Sequence, residues 1–107
     1  MVTEISLNTI CGHTTQVTAT KEGKNTHIHI DTDCEKLQKW GTDFELELKD
    51  LMGTPGNTLA QKTEKASLTP TCLVPAAVMN ACWLENSLIS KNLARKMGKM
   101  EIVFEKL

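Results

Sequence analysis

The stretch Thr26-His27-Ile28-His29-Ile30-Asp31-Thr32-Asp33-Cys34-Glu35-Lys36-Leu37-Gln38-Lys39-Trp40 changes its hydrophobic period midway, and that change sets the fold class. Up to Asp31, apolar and polar residues alternate, so Ile28 and Ile30 share one face of a strand. From Thr32 the apolar residues recur at steps of three and four. Thr32-Asp33-Cys34-Glu35 has the form of a capping box, with Glu35 placed to reach back to the start of a helix. Leu37, Trp40, Phe44, Leu48 and Leu51 then predict one amphipathic helix from about 33 to 52, with Gly41 inside it and Gly53-Thr54-Pro55-Gly56-Asn57 ending it.

Working outward towards the N-terminus, residues 3–8 and 14–21 alternate in the same way, with Ile5, Leu7, Val17 and Ala19 inward. Cys11-Gly12-His13 and Glu22-Gly23-Lys24-Asn25 supply the turns between them. The first third therefore predicts a three-stranded antiparallel meander with one apolar face. Towards the C-terminus, residues 57–71 hold a short helix at most. A second main helix is expected from about 73 to 89, with Pro75 in its first turn, where a missing N–H costs little. Its stripe is Val74, Ala77, Val78, Ala81, Cys82 and Leu88, interrupted by Glu85. Residues 90–99 read as a basic connection, and Met100–Glu105 as a last strand. The order β-β-β-α-(α)-α-β predicts a single α+β domain over residues 1–107. Its architecture is a two-layer sandwich in which two main helices cover the single apolar face of the sheet.

Composition excludes several classes. Apolar residues make up 40% of the 107 and charged residues 23%, which argues against disorder. The formal net charge is −1, with no basic stripe, so a nucleic-acid partner is not expected. No run approaches the ~20 apolar residues of a membrane span. The first residues carry no basic region followed by an apolar run, so a cytoplasmic location is expected. In that compartment four cysteines are expected to be thiols rather than two disulfides. There is no Gly-rich phosphate loop, no nucleophile elbow, no zinc-protease motif and no C-x-x-C.

The cysteines give the one chemical lead. Strands one and three of a meander point the same way, so Cys11 and Cys34, each just past a strand end, belong to one edge of the sheet. If the chain returns to that edge after residue 53, Cys72 arrives there as well. Cys34 lies in the first turn of a helix and Cys72 just before another, where free N–H groups and the dipole favour a thiolate. Three thiolates and His13 as a fourth donor would suit zinc or an iron–sulfur cluster. The same thiols would serve redox exchange if two came within disulfide reach. Set against this, free cysteine is among the residues most often buried as a small hydrophobe. Cys82, on a helix stripe, is read that way.

His27 and His29 share the outer strand face and read as a solvated pair rather than ligands. Trp40 and Trp83 read as core anchors. Lys91, Arg95, Lys96 and Lys99 form a modest basic patch.

At Ile10-Cys11-Gly12, Asp33-Cys34-Glu35 and Cys72-Leu73-Val74-Pro75-Ala76-Ala77 the chain resembles a group of small uncharacterised proteins of methanogenic archaea and anaerobic bacteria. These carry a C-G-aromatic turn, a C-E or C-P helix start and a C-x-V-P-x-A helix start. The resemblance implies a shared pattern at Cys11, Cys34 and Cys72 and no reaction. It leaves Cys82 outside, and His13 departs from it, standing where an aromatic residue is expected.

The leading expectation is thus a metal-binding or thiol-redox module at a three-cysteine rim. The second is a protein-interaction or homo-oligomerisation module with structural cysteines. With no evident base or pocket motif, an enzyme is the less favoured of the three classes.

Overall fold

The computed structural model describes residues 2–107. The meander forms as read: β1 (Val2–Asn8), β2 (Thr14–Glu22) and β3 (Asn25–Thr32) pair antiparallel, with Ile5 opposite Val17 and Val17 opposite Ile30. Val17, Ala19, Ile28 and Ile30 point to one face and are buried. Each such side chain contributes about 1.5–3 kcal/mol on burial.

After β3 the order departs from the sequence reading. The expected helix from 33 to 52 is three elements. A six-residue α1 (Glu35–Trp40) stops at Gly41, whose φ of +119° and ψ of +132° no helix accommodates. The fourth strand, β4 (Asp43–Glu47), follows, and then a 3-10 turn (Leu48–Met52). β4 pairs with β3, Phe44 opposite Ile28, which gives a four-stranded antiparallel sheet in the order β1-β2-β3-β4. Phe44 and Leu48 satisfy a helical stripe, but Asp43-Phe44-Glu45-Leu46-Glu47 also alternates. The open backbone of β3 decides for the strand, a tertiary contact overriding a local period. The capping box at Thr32 is not formed either. Cys34 is the N-cap residue of α1, and the Thr32 hydroxyl accepts from the Cys34 N–H at 3.2 Å. The formed capping box lies later, where Asp50 accepts from the Glu47 N–H at 3.0 Å.

The remaining helices are α2 (Thr58–Ala66), α3 (Val74–Glu85) and α4 (Lys91–Met97). α2 realises the short helix expected in 57–71, and α3 begins and ends inside the expected 73–89. α4 replaces the expected basic connection, capped by Ser90, whose hydroxyl accepts from the Leu93 N–H at 3.2 Å. The expected last strand at 100–105 does not form, since that segment has no regular structure. The fold is thus α+β, with its fourth strand internal rather than C-terminal.

One core joins the layers. α3 packs on β1, β2 and β3 through Val74, Ala77, Val78, Ala81 and Cys82. α1 packs on α2. Trp40 is buried, donates from its indole N–H to the Thr63 hydroxyl at 3.0 Å and meets Phe44 edge-on with centroids 5.4 Å apart. Trp83 is half-buried and donates to the Leu51 carbonyl at 2.8 Å, tying α3 to the 3-10 turn. Both indoles therefore anchor the core, each with its polar atom partnered. No helix among the described residues is long and apolar enough to cross a membrane.

Candidate functional site

The rim at the Asn8 end of the sheet is built by two turns and a helix start. Between β1 and β2 the chain turns at Thr9–His13, closed by the Gly12 N–H donating to the Thr9 carbonyl at 3.0 Å. Gly12 has φ of +84°, so a residue without a Cβ suits the turn. His13 Nδ1 lies 2.9 Å from an Asp33 carboxylate oxygen, which ties this turn to the β3–α1 junction. α3 also starts towards this rim. Its last residue, Glu85, accepts from the Thr3 hydroxyl and the Lys21 N–H, both at 2.9 Å, at the opposite end of β1 and β2. Next to Cys72, Thr69 accepts from the Lys36 ammonium of α1 at 3.0 Å. The segment after residue 53 therefore returns as the three-thiol expectation requires.

The three cysteines nevertheless stand in different environments. Cys11 is exposed, its sulfur 2.9 Å from the Thr9 hydroxyl. That hydroxyl, and next the His13 N–H, hold the Cys11 thiol below its ordinary value. Cys34 and Cys72 are half-buried and pack against the apolar core. All four cysteines are free. Cys82 is wholly buried in that core, and burial with the nearby Glu85 charge pushes its thiol up to about 12. His13 faces Asp33 rather than completing a ligand set. Among the described residues, no group of three or more His, Cys, Asp or Glu side chains could hold a metal ion. The donors at the rim do not converge on a zinc or iron–sulfur geometry, and no step follows through such a centre.

A second polar array lies on the sheet face away from the helices. His29 and Asp43 are cross-strand partners, with Nδ1 and Oδ2 3.2 Å apart, and His27 Nε2 bonds the other oxygen of Asp43. The Asp43 bond, countered by slight burial, raises the His27 imidazole, and the two histidines lower the Asp43 carboxyl. The pair of histidines was legible in the sequence. Asp43 was not, because the helical reading of 33–52 put it off the sheet. The alternation from Asp43 to Glu47 was the signal.

Two features differ from the sequence reading, which puts Asp50 on the solvent side of a helix and residues 100–105 in a last strand. Asp50 is buried and accepts from the Glu47 N–H, the Thr58 N–H and the Thr58 hydroxyl at 2.8–3.1 Å. The C-terminal arm is the other. α4 buries no residue, and beyond it Met100, Ile102, Val103 and Phe104 are 81, 67, 62 and 62% exposed. Among the described residues no backbone hydrogen bond reaches residues 99–107.

Comparison with known proteins adds one match. The profile of a family of unknown function (DUF6951) matches residues 3–97, which takes in every strand and helix but for Val2 at the start of β1 and leaves out the exposed segment after α4. No curated protein and no solved structure matches the chain.

Proposed function

We infer, from the premise that this chain belongs to the family of unknown function DUF6951 and inherits no activity from it, that it is a non-catalytic association module. The observation that carries this reading is the segment from Met100 to Leu107, which holds Met100, Ile102, Val103, Phe104 and Leu107, is exposed along its whole length and makes no backbone pairing of its own. Such a segment costs free energy in water and is retained where burial against another surface offsets that cost. Lys99, 3.4 Å from Glu101, and the exposed Glu105 and Lys106 keep a polar side of this segment solvated while its apolar side is covered. The test is sedimentation velocity over a concentration series, with amide exchange of residues 99–107 followed alongside. Concentration-dependent growth in mass, with slowed exchange in the arm, supports the reading. A monomer whose arm exchanges at the unprotected rate at every concentration sinks it.

A second reading is favoured by one specific observation, the lowered Cys11 thiol in an exposed turn. It makes Cys11 a site of disulfide exchange or modification, with Cys34 and Cys72 as core packing. Zinc or iron–sulfur ligation by Cys11, Cys34, Cys72 and His13 would need Cys34 and Cys72 to leave the core, and nothing at the rim supports that movement.

A further inference from the structure

We propose that the segment Met100–Glu105 of one copy adds as an antiparallel strand to the open edge of β1 in a second copy, and reciprocally, so that the chain closes a two-fold dimer. This rests on the association reading above and names its partner.

The donor is built for a sheet edge. Met100, Ile102 and Phe104 alternate with Glu101, Val103 and Glu105, so one side of an extended segment is wholly apolar. β-Branched and aromatic residues favour the strand, and no Gly or Pro interrupts it. Its backbone groups are unpaired, as β-augmentation requires.

The acceptor is equally unfinished. β1 ends the sheet and pairs on one side only. On the inner strands Val17, Ala19, Ile28 and Ile30 are buried, whereas Ile5 and Leu7 on β1 remain half-exposed. The edge is seven residues long and is blunted by neither Pro nor Lys, the usual protections of an open edge.

Register and charge fit the two together. With Ile102 opposite Ile5 in an antiparallel pair, Met100 falls opposite Leu7 and Phe104 opposite Thr3. All three apolar side chains then extend the covered face. On the other face Glu101 meets Ser6 and Val103 meets Glu4, so no carboxylate opposes a carboxylate. A shift by one residue would turn Ile102 to the polar face. The segment stands clear of its own molecule, with its apolar side chains exposed, so its own β1 does not cover it. Each copy holds one donor and one acceptor, and a reciprocal exchange leaves neither unused.

The experiment places a photo-reactive phenylalanine analogue at position 102 and mixes equal amounts of normal and heavy-nitrogen protein before irradiation. Mass spectrometry then locates the cross-link. Beside it, the double variant Ile102→Lys, Phe104→Lys is sedimented. Both positions are exposed, so near-ultraviolet circular dichroism of the variant, which reads the packing of Trp40 and Trp83, remains that of the parent even as the added strand is lost. A dimer whose cross-links join mixed-label pairs at residues 2–8, and whose double variant dissociates with Kd raised about a hundredfold or more, is the expected result. Cross-links to 2–8 within single-label molecules only would show the arm folding onto its own edge and overturn the proposal. A dimer cross-linked elsewhere overturns it and leaves the association reading standing. A monomer at all concentrations overturns both. A monomer that co-sediments with anionic phospholipid vesicles overturns the dimer and makes the apolar arm, with the basic residues of α4 before it, a membrane-surface contact.

Discussion

Single residues in this chain do opposite work according to a few ångströms of surroundings, and the cysteines show it. Cys11, in an exposed turn, has a hydroxyl and a backbone N–H against its sulfur, whereas Cys82 has only the core and a nearby carboxylate. Alkylation of the native protein should modify Cys11 first, with a midpoint pH below that of a free thiol. Thr9→Val should move that midpoint up. Cys82 should react only as the protein unfolds, which a denaturant series read by mass spectrometry checks. Asp50 is a residue-scale anchor of the second kind. Burial alone would raise its pKa, but three hydrogen bonds together outweigh that and hold it below the ordinary carboxylate value. The stability it supplies is therefore present in full above the ordinary value near ~3.9 and is lost as pH falls through its lower folded value. Asp50→Asn should cost about 2–3 kcal/mol at neutral pH, since one acceptor becomes a donor facing N–H groups. The variant's melting temperature should also lose that share of its acid dependence. Cys82 and Trp40 were legible in the sequence from their place on apolar stripes, and Trp83 from its large aromatic side chain. Asp50 was not, because its partner Thr58 lies beyond a loop whose path no local pattern fixes.

Among the elements, α1 and β4 carry the main correction. Gly41 divides them. Its backbone lies in a region that side chains rarely adopt, and a Cβ there would meet the Lys62 ammonium at 2.5 Å. Lys62 lies 4.2 Å above the Phe44 ring and 5.4 Å from that of Trp40, so this glycine makes room for a cation over two aromatic faces. Gly41→Ala should destabilise by of order 1–3 kcal/mol through backbone strain. Denaturant unfolding measures it, and Lys62→Ala in the same background should recover only the part due to crowding. The meander was readable within a residue or two, because each strand alternates cleanly and each turn has its glycine. β4 was misread because five residues satisfy both periods. The backbone partner that decides between them, β3, belongs to no window around residue 45.

For the whole molecule the question is what covers the C-terminal arm. If a second copy does, the melting temperature should rise with protein concentration, because association binds the folded state only. The Ile102→Lys, Phe104→Lys variant should lose that dependence, and calorimetry at two concentrations is enough to see it. A parent whose melting temperature is the same at both would count against association. The four-stranded sheet itself does not need the arm, since its fourth position is filled by β4 and its core closes with Leu46, Leu51, Leu59 and Leu68. By itself the sequence determined the α+β class, the three-stranded meander, the helix with Pro75 in its first turn and the burial of Cys82. Each of these is written in a period or a turn residue within one window. Only the tertiary structure decided that residues 43–47, and not 100–105, supply the fourth strand. It likewise decided that Cys34 and Cys72 pack inward while Cys11 stays in water, and that Asp43 sits between two histidines. Backbone pairing and side-chain burial are settled between segments far apart in the chain, and no short stretch of residues contains both partners.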